Sequence, residues 1–177
     1  MASTSVVLVL VDGSNVARCS VWRRYAGPDA SDHELRRRLI DVICSWSAHG
    51  GHQTCVTFDG AGPWRAGSTR ITKQVEVVGS GPREGDDIIE QRAAIARGKR
   101  QLHWIVTSDV ALRRVAGMGA DRVLDSDGFA HELLTPDPMQ AMPSAPDAAD
   151  RGGRSQLGAG LDPKVRARLE QLRRGLK

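Results

Sequence analysis

VVLVLVDGSNVARCS, residues 6–20, decides the fold. Val6 to Val11 are consecutive apolar residues, and the run stops at Asp12. A strand with one face in water alternates apolar and polar side chains. One without alternation is covered on both faces, as at the centre of a parallel sheet flanked by helices. Asp12 therefore stands where a buried strand surfaces, followed by Gly13, Ser14 and Asn15. An acid in that place can hold a helix terminus, a phosphate or a metal ion.

The rest of the chain repeats the pattern. Ser31 followed by Glu34 is a capping-box signal, and Leu35, Leu39, Val42 and Trp46 recur at helical spacing up to the break at Gly50 and Gly51. Thr54 to Phe58 reads as the next strand and again ends on an acid, Asp59. Gly60 to Arg70 has no period and reads as a loop, and Ile71 to Val78 as a third strand, edge-like because Lys73 and Glu76 interrupt it. A helix is expected to start at Asp86 or Asp87 and close near Gly98. A strand from Leu102 to Thr107 leads into Ser108 and Asp109, then a short helix runs to Gly117. Arg122 to Leu124 is a final short strand, with Asp125, Ser126 and Asp127 leading into a last helix. Strand and helix alternate throughout, which predicts an α/β fold with a mainly parallel sheet, whose ligands bind beyond the carboxyl ends of the strands.

Composition narrows the function. At 177 residues and 40% hydrophobic, the chain is sized for one ordinary domain. No apolar run approaches the roughly 18 residues of a membrane span, and the first residues lack the pattern of a secretory signal, so a cytoplasmic location and no membrane contact are expected. Cys19, Cys44 and Cys55 are too widely spaced for a metal knuckle and read as reduced thiols, Cys44 and Cys55 as mostly buried. Residues 136–177 hold eight basic and five acidic residues, a net +3 of the chain's +4. That excess is compatible with nucleic acid without requiring it. No phosphate-loop motif, dinucleotide fingerprint, zinc spacing or nucleophile triad appears.

Any single aspartate at a strand end is readily explained as a helix cap. Asp12, the pair Asp86 and Asp87, Asp109, and the pair Asp125 and Asp127 are instead expected to converge on one sheet edge. Clustered carboxylates repel one another and raise each other's pKa unless a cation neutralises them, and hard oxygen donors suit Mg²⁺ or Mn²⁺. The chemistry implied is metal-assisted hydrolysis of a phosphodiester. Asp12, Asp87 and Asp109 are the expected metal ligands. Asp86 competes with Asp87, because neighbouring helical residues point about 100° apart. Asn15 can hold Asp12 or touch the phosphate, with Thr107 and Ser108 as supporting donors. Arg18, Arg65, Arg70 and Arg83 are expected phosphate contacts, and Trp64 a platform for an unpaired base.

VDGSNV (Val11 to Val16), GDDIIE (Gly85 to Glu90) and VTSDVALRRVA (Val106 to Ala116), in this order, resemble the NYN domains of the PIN-like nuclease superfamily, most of all their bacterial YacP-like branch, whose members include a ribosome-associated endoribonuclease. The likeness runs from about Val6 to Leu134 and takes in the FDG at Phe58 to Gly60. It implies a three-layer α/β/α PIN-like, Rossmann-like fold, an acidic pocket for Mg²⁺ or Mn²⁺, and endonucleolytic cleavage of RNA by activated water. Asp12, Asn15, Asp86, Asp87 and Asp109 match the family's acidic and polar positions. A further acidic position of some relatives meets Leu112 here, so either Asp127 supplies that oxygen or one metal dominates. The alternatives are another Mg²⁺ phosphoesterase, including a DNA nuclease, and a noncatalytic RNA-binding or ribosome-associated module. The lack of a second aspartate two residues after Asp12 argues against an aspartyl-phosphate enzyme.

The expected organisation is a nuclease domain over 1–135, a flexible linker rich in Pro, Ala, Ser and Gly over 136–160, and a basic amphipathic helix over 161–177. In that last segment Leu161, Val165, Leu169, Leu172 and Leu176 form an apolar stripe, while six basic residues face two acids. A helix this short is marginal alone, so the stripe is expected to dock on its own domain, a second copy or a ribosomal surface with the basic face toward phosphates. Deleting residues 161–177 should then weaken RNA binding and flatten its salt dependence, leaving single-turnover cleavage of saturating short RNA unchanged. An unchanged salt slope in filter binding would reject an electrostatic role for the tail.

Overall fold

A computed structural model describes residues 6–60, 67–81 and 85–135. The expected linker and C-terminal helix, together with Trp64, Arg65 and Arg83, lie outside these residues. β1 (Leu8–Asp12) is followed by α1 (Gly13–Arg18), α2 (Ser20–Ala26) and α3 (Asp32–Gly50). β2 (Gln53–Phe58), β3 (Gly67–Arg70) and β4 (Val75–Gly79) precede α4 (Gly85–Gly98). β5 (His103–Val106), α5 (Val110–Ala116), β6 (Arg122–Leu124) and α6 (Ser126–Leu134) complete the described fold. The sheet order is β3-β4-β2-β1-β5-β6, parallel except for β3.

β1 sits at the centre, paired with β2 through Asp12 opposite Thr57 and with β5 through Val11 opposite Val106. Its lack of alternation has the expected cause. Val9 and Val11 join the core beneath α1, α2, α3 and α6, with Trp22, Leu35, Leu39, Phe58 and Phe129, while Leu10 joins the opposite core beneath α4 and α5, with Ile89, Ile105 and Leu112. Two apolar layers enclosing a mixed, mainly parallel sheet make a three-layer α/β/α fold. Because every crossover returns on one side or the other, the carboxyl ends of β1, β2, β4 and β5 open on a common edge.

Three sequence expectations need correction. Gly67–Arg70 is a strand and not loop: it pairs antiparallel with β4, Arg70 opposite Glu76. The expected strand from Ile71 instead begins in a tight turn, where the Thr72 hydroxyl oxygen accepts the amides of Gln74 (3.2 Å) and Val75 (3.0 Å). β4 is internal despite Glu76, because Arg92 of α4 meets that carboxylate at 2.7 Å and holds it below its ordinary pKa. Helices α1 and α2, too short to show a period, begin immediately after β1. Cys19 breaks the two apart in an extended conformation (ψ 155°), and its Sγ accepts the Trp22 amide.

Other readings hold. Ser31 and Glu34 form the reciprocal capping box of α3, and Gly51 ends that helix in the left-handed conformation (φ 66°). Trp22 is fully buried and donates its indole N–H to the Leu35 carbonyl at 3.1 Å. Trp46, on the apolar stripe of α3, is only half-buried at the border of the core, edge-on to Phe129 and beside His52 and Trp104. Cys55 is buried as expected, whereas Cys44, expected mostly buried, is half-buried. Among the described residues no helix is long and apolar enough to cross a membrane.

Candidate active site at the carboxyl edge of the sheet

Asp12 is the last residue of β1, and only 6% of its surface is exposed. Its Oδ1 accepts the Asn15 amide at 2.9 Å, which caps α1, and its Oδ2 accepts both the Asn15 side-chain amide and the Thr107 hydroxyl, the latter at 3.0 Å. Asn15 Nδ2 also reaches Thr107 Oγ1 at 3.2 Å. Thr107 follows β5 directly, so this cluster locks the ends of the two central strands together. Gly13 is required beneath it: a Cβ there would lie 2.6 Å from the Phe58 ring. Thus VDGSNV places a carboxylate, the amide that clamps it and the glycine that makes room within one turn.

Burial pushes the Asp12 carboxyl above its ordinary pKa; the Asn15 and Thr107 hydrogen bonds oppose that shift, and the nearby charge of Asp59 adds to it. The clamp therefore compensates the buried charge only in part.

Asp109 starts the next branch of the network. Its amide donates to Thr107 Oγ1 at 3.1 Å, and its Oδ1 caps α5 by accepting the Leu112 amide at 2.8 Å. Asp86 and Asp87 occupy the first turn of α4, Asp86 half-buried and Asp87 exposed. Asp59, the carboxyl-end residue after β2, accepts the Gly85 amide at 2.8 Å. Sequence reasoning put Asp59 at this edge without giving it a task; its signal is the coincidence of FDG with GDD, visible only when β2 and α4 are brought together.

Four expectations fare differently. Asp127 is drawn to the start of α2, where its Oδ1 accepts the Ser20 hydroxyl (3.2 Å) and the Val21 amide (3.1 Å), and these bonds lower its pKa. Leu112, where the family likeness leaves an acid missing, is buried in the α4–α5 core. Ser108 accepts the Ser126 amide through its hydroxyl oxygen at 3.0 Å, which ties it to α6 and leaves its own O–H to donate. Arg70 lies toward the amino end of the parallel strands, opposite Glu76, and donates to the Lys73 carbonyl at 3.2 Å. The antiparallel direction of β3 carries it away from the acids. Arg18, in the last turn of the helix that Asp12 caps, is exposed.

Among the described residues no three acid, histidine or cysteine side chains are gathered closely enough to hold a metal ion. Asp12, Asp59 and Asp109 each accept N–H groups of their own. The donor chemistry nevertheless suits a hard divalent ion, because the edge presents carboxylate oxygens around a buried charge that hydrogen bonds compensate only in part. Nucleophilic thiol chemistry has no support, since burial pushes Cys19 and Cys55 up to about 11.

The raised Asp12 pKa makes a stability prediction. The folded carboxyl holds its proton to higher pH than the unfolded one, so the contribution of Asp12 to stability is greatest below about pH 4, falls as pH rises through the raised folded value, and is flat above it. In divalent-free buffer Asp12→Asn should melt above the wild type at neutral pH, and the difference should vanish toward pH 4. A variant less stable at every pH would show that the hydrogen bonds of Asn15 and Thr107 outweigh burial.

Comparison with known proteins accords with this arrangement. The structure of Rae1 (YacP) from Bacillus subtilis is similar with a TM-score of 0.59 at 20% identity, covering 97% of this chain and 86% of that one. The structure of a mutant of that protein, with one tryptophan replaced by leucine, is similar with a TM-score of 0.55 at 23% identity, over 71% of this chain and 73% of that one. At such identities the likeness establishes the fold. No curated protein sequence matches the chain. The model of the YacP-like NYN domain matches residues 9–174, nearly the whole sequence, and the chain belongs to that family.

Proposed function

We propose that the protein is a metal-dependent endoribonuclease whose reaction takes place at the carboxyl edge of β1. The carrying observation is Asp12: a carboxylate buried at a strand end, held in place by Asn15 and Thr107, and left with more charge than its hydrogen bonds compensate. A group of that kind is costly to keep unless a cation shares it. Asp109 and the pair Asp86 and Asp87 begin helices at the same edge, and membership of the YacP-like NYN family supports nuclease chemistry there.

Asp12, Asp87 and Asp109 are the residues that would hold Mg²⁺ or Mn²⁺, with Asp86 beside them. When bound, such an ion supplies a water of lowered pKa and offsets charge developing on the phosphate. The chain supplies the positioning. Asn15, with its amide spent on Asp12 and Thr107, orients the carboxylate and is not free to meet substrate through those same hydrogens. Thr107 couples Asp12 to Asp109, accepting the Asp109 amide while donating to Asp12. Exposed Arg18 would neutralise an RNA phosphate without reading its base. Trp64, Arg65 and Arg83 remain proposed substrate contacts from their sequence positions. The wide spacing of the acids among the described residues favours one second reading, a noncatalytic RNA-binding module.

Asp109→Asn tests the choice. Asparagine caps a helix as well as aspartate does, so α5 and the circular dichroism spectrum should be preserved, while Mn²⁺-dependent cleavage of single-stranded and hairpin RNA falls by orders of magnitude. Equal rates would remove Asp109 from the site. A wild type that binds these RNAs and cleaves none would favour the binding module, and cleavage of DNA in preference would reassign the substrate. If Asp87 is the direct ligand, Asp87→Asn should weaken affinity more than Asp86→Asn in calorimetric Mn²⁺ titration; the opposite order would exchange their roles.

A further inference from the structure

Three sequence-distant pieces meet beside the acidic edge. The Asp59 amide donates to the hydroxyl oxygen of Ser14, a nearly buried residue of α1, at 2.9 Å. The Asp59 Oδ1 accepts the amide of Gly85 at 2.8 Å. Gly85 is buried, and a Cβ built on it would lie 2.3 Å from Asp59 Oδ1 and 3.1 Å from Thr57 Cγ2. A side chain at residue 85 would displace the Asp59 carboxylate from its present place on the amide. The next two residues are Asp86 and Asp87.

The body of α4 is held by its apolar face, where Ile89 and Ala93 share a core with Leu10 and Cys55. Such packing fixes the helix against the sheet but leaves its first turn, with orphan amides, to be set by a cap. Here one of those amides, that of Gly85, is met by Asp59 from just after β2. Asp59 is itself tied by its backbone to α1, the helix that starts on Asp12.

We propose that Asp59 is a positioning residue: its carboxylate, received by the side-chain-free Gly85, holds the first turn of α4, and with it the acid pair Asp86 and Asp87, at the edge that Asp12 ends. This rests on the reading of that edge as a metal-dependent nuclease site. It also accounts for glycine ahead of the acid pair in GDD and for the acid in FDG, neither of which the expected ligand set uses. Asp59 acts through the pair and not on the substrate, so its loss should act on metal and turnover more than on RNA binding.

The test compares Asp59→Ala, Asp59→Asn and Gly85→Ala with the wild type, reading amide exchange over residues 85–88 by mass spectrometry, Mn²⁺ affinity by calorimetry, and kcat against KM on RNA. Asp59→Ala should speed exchange in that segment, weaken Mn²⁺ about 10- to 100-fold, as removal of a ligand's outer partner does, and lower kcat with KM little changed. Gly85→Ala keeps the carboxylate but forces it from the amide, so it should do the same; it decides the matter if Asp59→Ala does not fold. Asp59→Asn keeps an acceptor of the same shape and should restore slow exchange and most of the Mn²⁺ affinity. Unchanged exchange and affinity in both Asp59→Ala and Gly85→Ala would overturn the proposal. So would Asp59→Asn as damaging as Asp59→Ala, which would place the effect in the charge and not the cap. A wild type that binds no Mn²⁺ would sink the nuclease reading separately, while the exchange data would still decide whether Asp59 holds α4.

Discussion

Burial of β1 on both faces is the constraint on which the rest depends. A strand enclosed by two apolar layers cannot let its polar terminus reach bulk water gradually, so the residue that ends it is buried and must find partners at once. In this chain that residue is a carboxylate. Asn15 and Thr107 meet it from α1 and β5, and the absence of a Cβ at Gly13 lets α1 turn over Phe58 closely enough for Asn15 to arrive. The local geometry that makes Asp12 chemically unusual is thus the same geometry that closes the core.

A second regularity follows from the helices that begin at this edge. Asp12, Asp109 and Asp125 each accept an amide three residues on, and Asp59 and Asp127 accept amides of helices distant in sequence. Capping and ligation are not competing explanations for such residues. A carboxylate has two oxygens and several lone pairs: Asp109 caps α5 through Oδ1 alone, whereas both oxygens of Asp12 accept hydrogen bonds and keep only their remaining lone pairs. Asp127 differs because its partners are the hydroxyl and amide that start α2, which orient it toward that helix. In an acid-rich sheet edge, what separates a structural acid from a chemical one is which helix it caps and where that helix begins.

Much of this was legible in order along the chain. The unbroken apolar run at residues 6–11, the Ser31–Glu34 capping box and the alternation of strands with helices each state a local preference that the fold obeys. The less legible parts are those whose stability comes from elsewhere. β3 is a short, wholly exposed strand with no apolar pattern, and it exists because β4 offers it a hydrogen-bonding edge. Glu76 reads as a sign of an edge strand until Arg92, sixteen residues later, arrives to pair with it. Helices α1 and α2, of six and seven residues, are shorter than the window in which helical periodicity can be seen.

The sequence by itself determined the layered α/β architecture and the identity of the acids at the strand and helix starts, because periodicity and capping act over a few residues. Only the tertiary structure decided which of those acids share a network. Asp12 meets Thr107 across 95 positions, Asp59 meets Gly85 across 26, and Asp127 turns aside to α2 across 106. The direction of one strand carries Arg70 to the end of the sheet away from the acids. Hydrogen bonds at such separations depend on strand order and crossover path, and no local pattern of residues encodes either.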